Sequence, residues 1–159
     1  MAKFPLDAPK MRVVRALQSL GFVPSRTAVA HLLDTGPLEL LRRRDRRVES
    51  LALQYYPPVL PLAAVGEFLY GQLLAEVVPE ALMQAQKFVA GFEILPSNTT
   101  TALIYARLRS QNKRRGRMIP DPDYWIAALA VQHRMRLDTT DSHFECFDEW
   151  QPWLVRVSA

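Results

Sequence analysis

Short apolar runs alternate along most of the chain with longer stretches in which apolar residues recur every three or four positions. Val29 to Leu33 reads as a buried strand, and Pro37 to about Val48 as a helix with proline in its first turn. Val59 to Leu62 is a second strand, which Pro57, Pro58 and Pro61 should confine to a sheet edge or shorten. Ala63 to Glu76 and Pro79 to Ala90 carry helical spacing, and Phe92 to Leu95 is a strand. Asn98 to about Arg115 is a long helix capped by the Asn98-Thr99-Thr100 cluster. Asp121, as N-cap before Pro122, opens a helix through Ile126, Ala127, Leu129 and Ala130 to about Arg134. Arg136 to Thr140 and Trp153 to Val157 are the last strands. Strands that alternate with helices predict an α/β fold, with a central parallel sheet covered by helices on both faces.

Residues 1–27 follow another pattern. Pro5 and Pro9 bracket a loop, then Val13, Val14, Leu17 and Leu20 line one face of a short helix that Gly21 ends. The division expected is a short N-terminal helical extension, 1–27, and a main domain, 28–159. The phrase Phe4-Pro5-Leu6-Asp7-Ala8-Pro9-Lys10, followed by Leu17, Leu20, Gly21 and Phe22, resembles the opening of HicA-type RNA-targeting toxins. The resemblance covers barely twenty residues and lacks that family's downstream histidine segment, so the extension is read as an appendage without chemistry.

A chain of 159 residues can build a core without disulfides. It contains no apolar stretch approaching the roughly 18 residues that cross a bilayer, so no membrane role is expected. The lone Cys146 and the lack of an apolar leader point to a reducing, cytoplasmic setting, with Cys146 a small inert thiol. Net charge is only +4, yet the basic residues are concentrated. Arg42, Arg43, Arg44, Arg46 and Arg47 form one block, and Lys113, Arg114, Arg115 and Arg117 another. Cations at helix ends explain each block separately. A rim that binds a polyanion explains both.

Four acids stand where an apolar segment gives way to a turn or a helix: Asp34, Glu67, Asp123 and Asp141. In open parallel α/β sheets ligands bind beyond the carboxyl ends of the strands, where strand order reverses. Asp34 and Asp141 follow predicted strands and so belong at that edge. Asp123 and Glu67 lie early in helices that start there. Acids held so close cannot all ionise unaided, and a hard divalent cation relieves their repulsion. Thr35, Thr139 and Thr140 are placed to hydrogen-bond the carboxylates. Asp138 should face away from Thr139, and His31 is read as a strand residue with a satisfied ring. His143 stands at the edge of the site. Glu39, Glu93 and Glu145 belong to the surface, Trp125 should pack its helix onto the sheet, and Tyr55-Tyr56 with Pro57-Pro58 makes an exposed aromatic patch.

With their flanks, the acids form four ordered motifs: Leu32-Leu33-Asp34-Thr35, Val65-Gly66-Glu67-Phe68-Leu69-Tyr70-Gly71, Asp121-Pro122-Asp123-Tyr124-Trp125-Ile126-Ala127-Ala128 and Thr139-Thr140-Asp141-Ser142-His143-Phe144. In order, these resemble the acidic motifs of PIN-domain ribonucleases, and most nearly those of VapC-type toxins of toxin-antitoxin pairs, over about residues 29–157. The resemblance implies a PIN-like three-layer fold and a metal-dependent endoribonuclease acting on single-stranded or loop RNA. It implies that Asp34, Glu67, Asp123 and Asp141 form the catalytic site and hold Mg²⁺ or Mn²⁺, Asp141 directly or through water, with Thr35 and Thr139 supporting them. Arg43, Arg44, Arg114 and Arg115 would then grip substrate phosphates. A cognate antitoxin and a homodimer are implied by the resemblance alone. Similar toxins usually carry a small polar residue after the Asp-Thr pair, most often Asn, whereas Gly36 stands here. Gly36 either weakens the hold on Asp34 or permits a tight turn into the helix. The alternative function is therefore a catalytically impaired PIN-like module that binds RNA or protein. A receiver-type phosphate-accepting domain would need a lysine at the end of a late strand, which Arg136 to Thr140 does not supply.

Overall fold

The computed structural model describes residues 31–46, 48, 58–75, 79–147 and 154–156. The expected N-terminal helix, the Tyr55-Tyr56 patch, Arg47, Trp150 and Trp153 lie outside them. The order of elements is β1 (His31–Leu33), α1 (Thr35–Arg42), β2 (Val59–Pro61), α2 (Leu62–Leu74), α3 (Pro79–Val89), β3 (Glu93–Leu95), α4 (Thr99–Arg114), α5 (Asp121–His133), β4 (Arg136–Thr139), a 3-10 turn (Ser142–Cys146) and β5 (Leu154–Arg156).

The strands pair in the order β3-β2-β1-β4-β5, all parallel. Every strand has three or four residues, so alternate residues feed alternate faces over a very short span. Leu32, Val59 and Leu137 pack with Leu108 of α4 and Tyr124, Ile126 and Leu129 of α5. Leu33 and Leu60 pack instead with Leu38 of α1, Val65 and Phe68 of α2, and Ala85 and Val89 of α3. The result is the three-layer α/β architecture expected. Chain order runs outward from β1 through β2 to β3, then resumes on the other side of β1 with β4 and β5. The reversal of strand order therefore lies between β1 and β4.

Three local expectations are corrected. The prolines do not push β2 to an edge: it pairs with both β1 and β3. Pro58 precedes the strand and Pro61 is its last residue, so the missing donors fall at its ends, and the strand is short. Asp121 is not the cap of α5. Pro120 holds that position with extended backbone, while Asp121 is the helix's first residue, accepting a hydrogen bond from Tyr105 Oη at 2.7 Å and pairing with Arg109. Trp125 does not pack onto the sheet. It stacks on Tyr105 of α4, ring centroids 4.4 Å apart, and the neighbouring Tyr124 and Ile126 fill the core.

Candidate metal centre

Asp34 leaves the end of β1 as the N-cap of α1, where a short acceptor side chain satisfies an amide with no partner inside the helix. Its Oδ1 accepts from Thr35 N at 2.7 Å and its Oδ2 from Thr139 Oγ1 at 2.6 Å, while its own N donates to the Asp138 carbonyl at 3.0 Å. Both neighbours of β1 in this network come from β4, across the point where strand order reverses. The Thr35 hydroxyl donates to Glu67 Oε2 at 2.9 Å, tying α1 to α2. Thr139 Oγ1 also accepts from Asp141 N at 2.9 Å. Thr35 and Thr139 thus bond acids as expected, whereas Thr140 turns its hydroxyl toward Gly36.

Asp141 caps the 3-10 turn, its Oδ1 accepting from His143 N at 2.8 Å. That bond folds His143 back, so that its Nδ1 lies 3.0 Å from Asp141 Oδ2 and 3.2 Å from Asp123 Oδ2. Asp123, Asp141 and His143 each offer a ligand atom within 4.8 Å of the others. Asp34 and Glu67 are outside this tight group but inside its electrostatic field. The structure thus puts His143 closer to the acids than its sequence position alone suggests. The signal was the two-residue step from Asp141, which an acid-capped turn converts into proximity.

Burial pushes the Asp123 carboxyl up from 3.8 to about 6, with the charges of Asp34, Asp141 and Glu67 adding to the rise and the His143 contact opposing it. Burial also raises Asp34, against the hydrogen bonds from Thr139 and Thr35, and the charges of Glu67 and Asp141 raise it further. Glu67 and Asp141 thus press on both Asp34 and Asp123, and Asp34 presses on Asp123. Their donors are oxygens with lone pairs left over, the set that a hard divalent cation takes.

Asp138 points to the other face of the sheet, as its alternation with Thr139 predicts, and meets His31 Nδ1 at 2.5 Å with both side chains buried. Among the acids expected on the surface, Glu93 and Glu145 are exposed, while Glu39 is half-buried and pairs with Arg42 and Arg43. Those arginine bonds hold its carboxyl below the usual range. Arg42 and Arg43 flank a groove of about 510 Å³ that Thr35 and Glu67 also line, with Phe68 and Gly71 beside them. Arg44 is exposed in the turn after α1. Arg114 and Arg115 are exposed at the end of α4, from which the chain turns to enter α5 just before Asp123. Cys146 is half-buried, with Asn112 Nδ2 2.9 Å from its sulfur.

No protein-family model matches the chain, and no curated protein matches it. Solved structures do. A toxin-antitoxin complex from Klebsiella pneumoniae contains a chain 22% identical, superposing with a TM-score of 0.63 over 79% of this chain and 96% of that one. VapBC-1 from nontypeable Haemophilus influenzae gives 20% identity and a TM-score of 0.68 over 81% and 97%. FitAcB from Neisseria gonorrhoeae gives 26% and 0.61 over 80% and 96%. The chain has the PIN-like fold of VapC-type toxins. In that PIN-like frame, the acids gather at the strand-order reversal, and Gly36 is explained by space: a Cβ there would stand 2.1 Å from Thr140 Oγ1. No helix among the described residues is long and apolar enough to cross a membrane.

Proposed function

We propose that the protein is a divalent-metal-dependent endoribonuclease, the toxin of a VapBC-type pair, acting in the cytoplasm on single-stranded or loop RNA. The observation that carries this reading is the charge that Asp34, Glu67 and Asp141 exert on the buried Asp123 carboxyl at one edge of a PIN-like sheet. The four carboxylates would hold Mg²⁺ or Mn²⁺. When bound, the cation lowers the pKa of a coordinated water and neutralises charge developing on the cleaved phosphodiester. The chain's own residues supply the arrangement. Thr139 and Thr35 fix the directions of Asp34 and Glu67. Asp123 must shed its proton for the site to load, which near neutral pH it does. Arg43, Arg44, Arg114 and Arg115 offer charge to flanking phosphates.

A protein partner fits the exposed apolar side chains of α2, Leu62, Tyr70, Leu73 and Leu74, all more than half accessible. The antitoxin is inferred because the neighbours named above include toxin-antitoxin complexes, and a second copy of the chain is inferred from the family resemblance alone. Thr140 fills the space beside Gly36, so packing is one reason for a glycine at that position.

Cleavage of a structured RNA with and without Mg²⁺ tests the reading. Asp34→Asn and Asp123→Asn should each lower the metal-dependent rate by on the order of 10²- to 10³-fold. Equal cleavage by all three proteins rejects the assignment. Metal uptake by the wild type without cleavage of any RNA favours the binding module.

A further inference from the structure

The first turn of α1 and the residue that follows β4 meet at Gly36 and Thr140. A Cβ on Gly36 would stand 2.1 Å from Thr140 Oγ1, 3.3 Å from its Cβ and 3.6 Å from its Cγ2. The first distance is far inside van der Waals contact, so the space that a side chain at position 36 would occupy belongs to Thr140. Gly36 has no positive φ; among the described glycines only Gly116 does. Its backbone is ordinary helix that any residue adopts, and only the close approach demands glycine. No hydrogen bond to a described residue anchors the Thr140 hydroxyl there.

The two residues belong to the segments that carry the acids. Gly36 follows Asp34 and Thr35, the latter holding Glu67. Thr140 lies between Thr139, which holds Asp34, and Asp141. Pushing Thr140 away from α1 shifts the short stretch that runs from Thr139, which holds Asp34, to Asp141. A half-buried glycine in a helix's first turn lowers helix propensity, so the approach it permits is its structural return.

We propose that Gly36 is a positioning residue. By admitting Thr140, it sets how closely Asp141 approaches Asp34, and with that the cation affinity of the centre. This rests on the reading of the four acids as a cation site.

The test compares wild type, Gly36→Ala, Thr140→Ala and the double variant by Mn²⁺ calorimetry, RNA-cleavage kinetics and amide chemical shifts of the metal-free protein. Gly36→Ala should weaken Mn²⁺ binding about tenfold and lower kcat about 100-fold, the scale expected of a misplacement near 1 Å, with KM for RNA little changed. Thr140→Ala alone should lose less. In the double variant the Oγ1 and Cγ2 atoms are gone, leaving the 3.3 Å contact, and most of the loss should be recovered. Wild-type Mn²⁺ affinity in Gly36→Ala, as when the hydroxyl rotates aside, overturns the proposal. So does a loss that Thr140→Ala fails to recover. If the wild type takes up no Mn²⁺, the cation reading fails and the amides decide: shifts at Asp34 and Asp141 in Gly36→Ala that revert in the double variant uphold the positioning, and unchanged amides overturn it. Should Gly36→Ala alone not fold, a folded double variant upholds the contact and an unfolded one overturns it.

Discussion

Asp123 keeps its proton to about pH 6 because it is buried among three other acids. Between about pH 4 and 6 the folded protein holds a proton that the unfolded chain has released. Stability from this group is therefore greatest at the acid end of that window, falls as pH rises through it, and is level above. Calorimetry of the cation-free protein should show this component in the wild type and lose it in Asp123→Asn. Mg²⁺, which competes with the proton, should raise Tm more at pH 7 than at pH 5. Parallel wild-type and variant profiles would remove Asp123 from the cluster. At this scale the acids were legible in the sequence because each stands at a segment boundary with an apolar flank. Gly36 was not, since its reason is Thr140, a residue far along the chain that only the sheet brings near. His143 was half legible: its spacing from Asp141 is local, but its contact with Asp123 is made by the fold.

α4 begins with Asn98, whose side chain accepts from Thr101 N at 3.1 Å while Thr101 Oγ1 accepts from Asn98 N at 3.0 Å. This reciprocal pair satisfies two amides that the helix itself leaves open. Asn98→Ala should cost about 1 kcal/mol. For a chain of this size that lowers Tm by about 2–4 °C, and Asn98→Ser should keep most of it. No change in Tm would mean that water serves the first turn equally well. Such caps are local chemistry, which is why the start of α4 could be read from residues 98–101. Asp121 misled for the same reason. An acid before proline is a good cap in isolation, but Arg109 and Tyr105, one helix away, draw it outward and leave Pro120 at the boundary. The prolines around β2 show the complementary limit. They shorten the strand, as local geometry demands, but its place inside the sheet follows from the hydrophobic packing of Val59 and Leu60 on opposite faces.

Among the described residues, positive charge gathers at the ends of α1 and α4, with Arg42 and Arg43 beside the groove that Glu67 lines. If Arg114 and Arg115 contact RNA phosphates, each contact removed should reduce the slope of log affinity against log salt by about 0.7. Fluorescence anisotropy of labelled RNA, in the Asp34→Asn background to prevent cleavage, measures this for Arg114→Ala and Arg115→Ala. An unchanged slope places the RNA elsewhere. Arg43 should matter less than its position suggests, because Glu39 already takes part of its charge. The parallel sheet, the helices on both of its faces and the common edge of the acids were implied by alternating elements, whereas the order of strands, with β2 inside the sheet, was not. Finally, the Asp34 amide is itself a rung between β1 and β4, bonded to the Asp138 carbonyl. That amide exchanges its hydrogen with solvent when the junction of β1 and β4 opens. Its exchange rate thus reports on how firmly that junction is held, and a cation gripped by Asp34 would slow it.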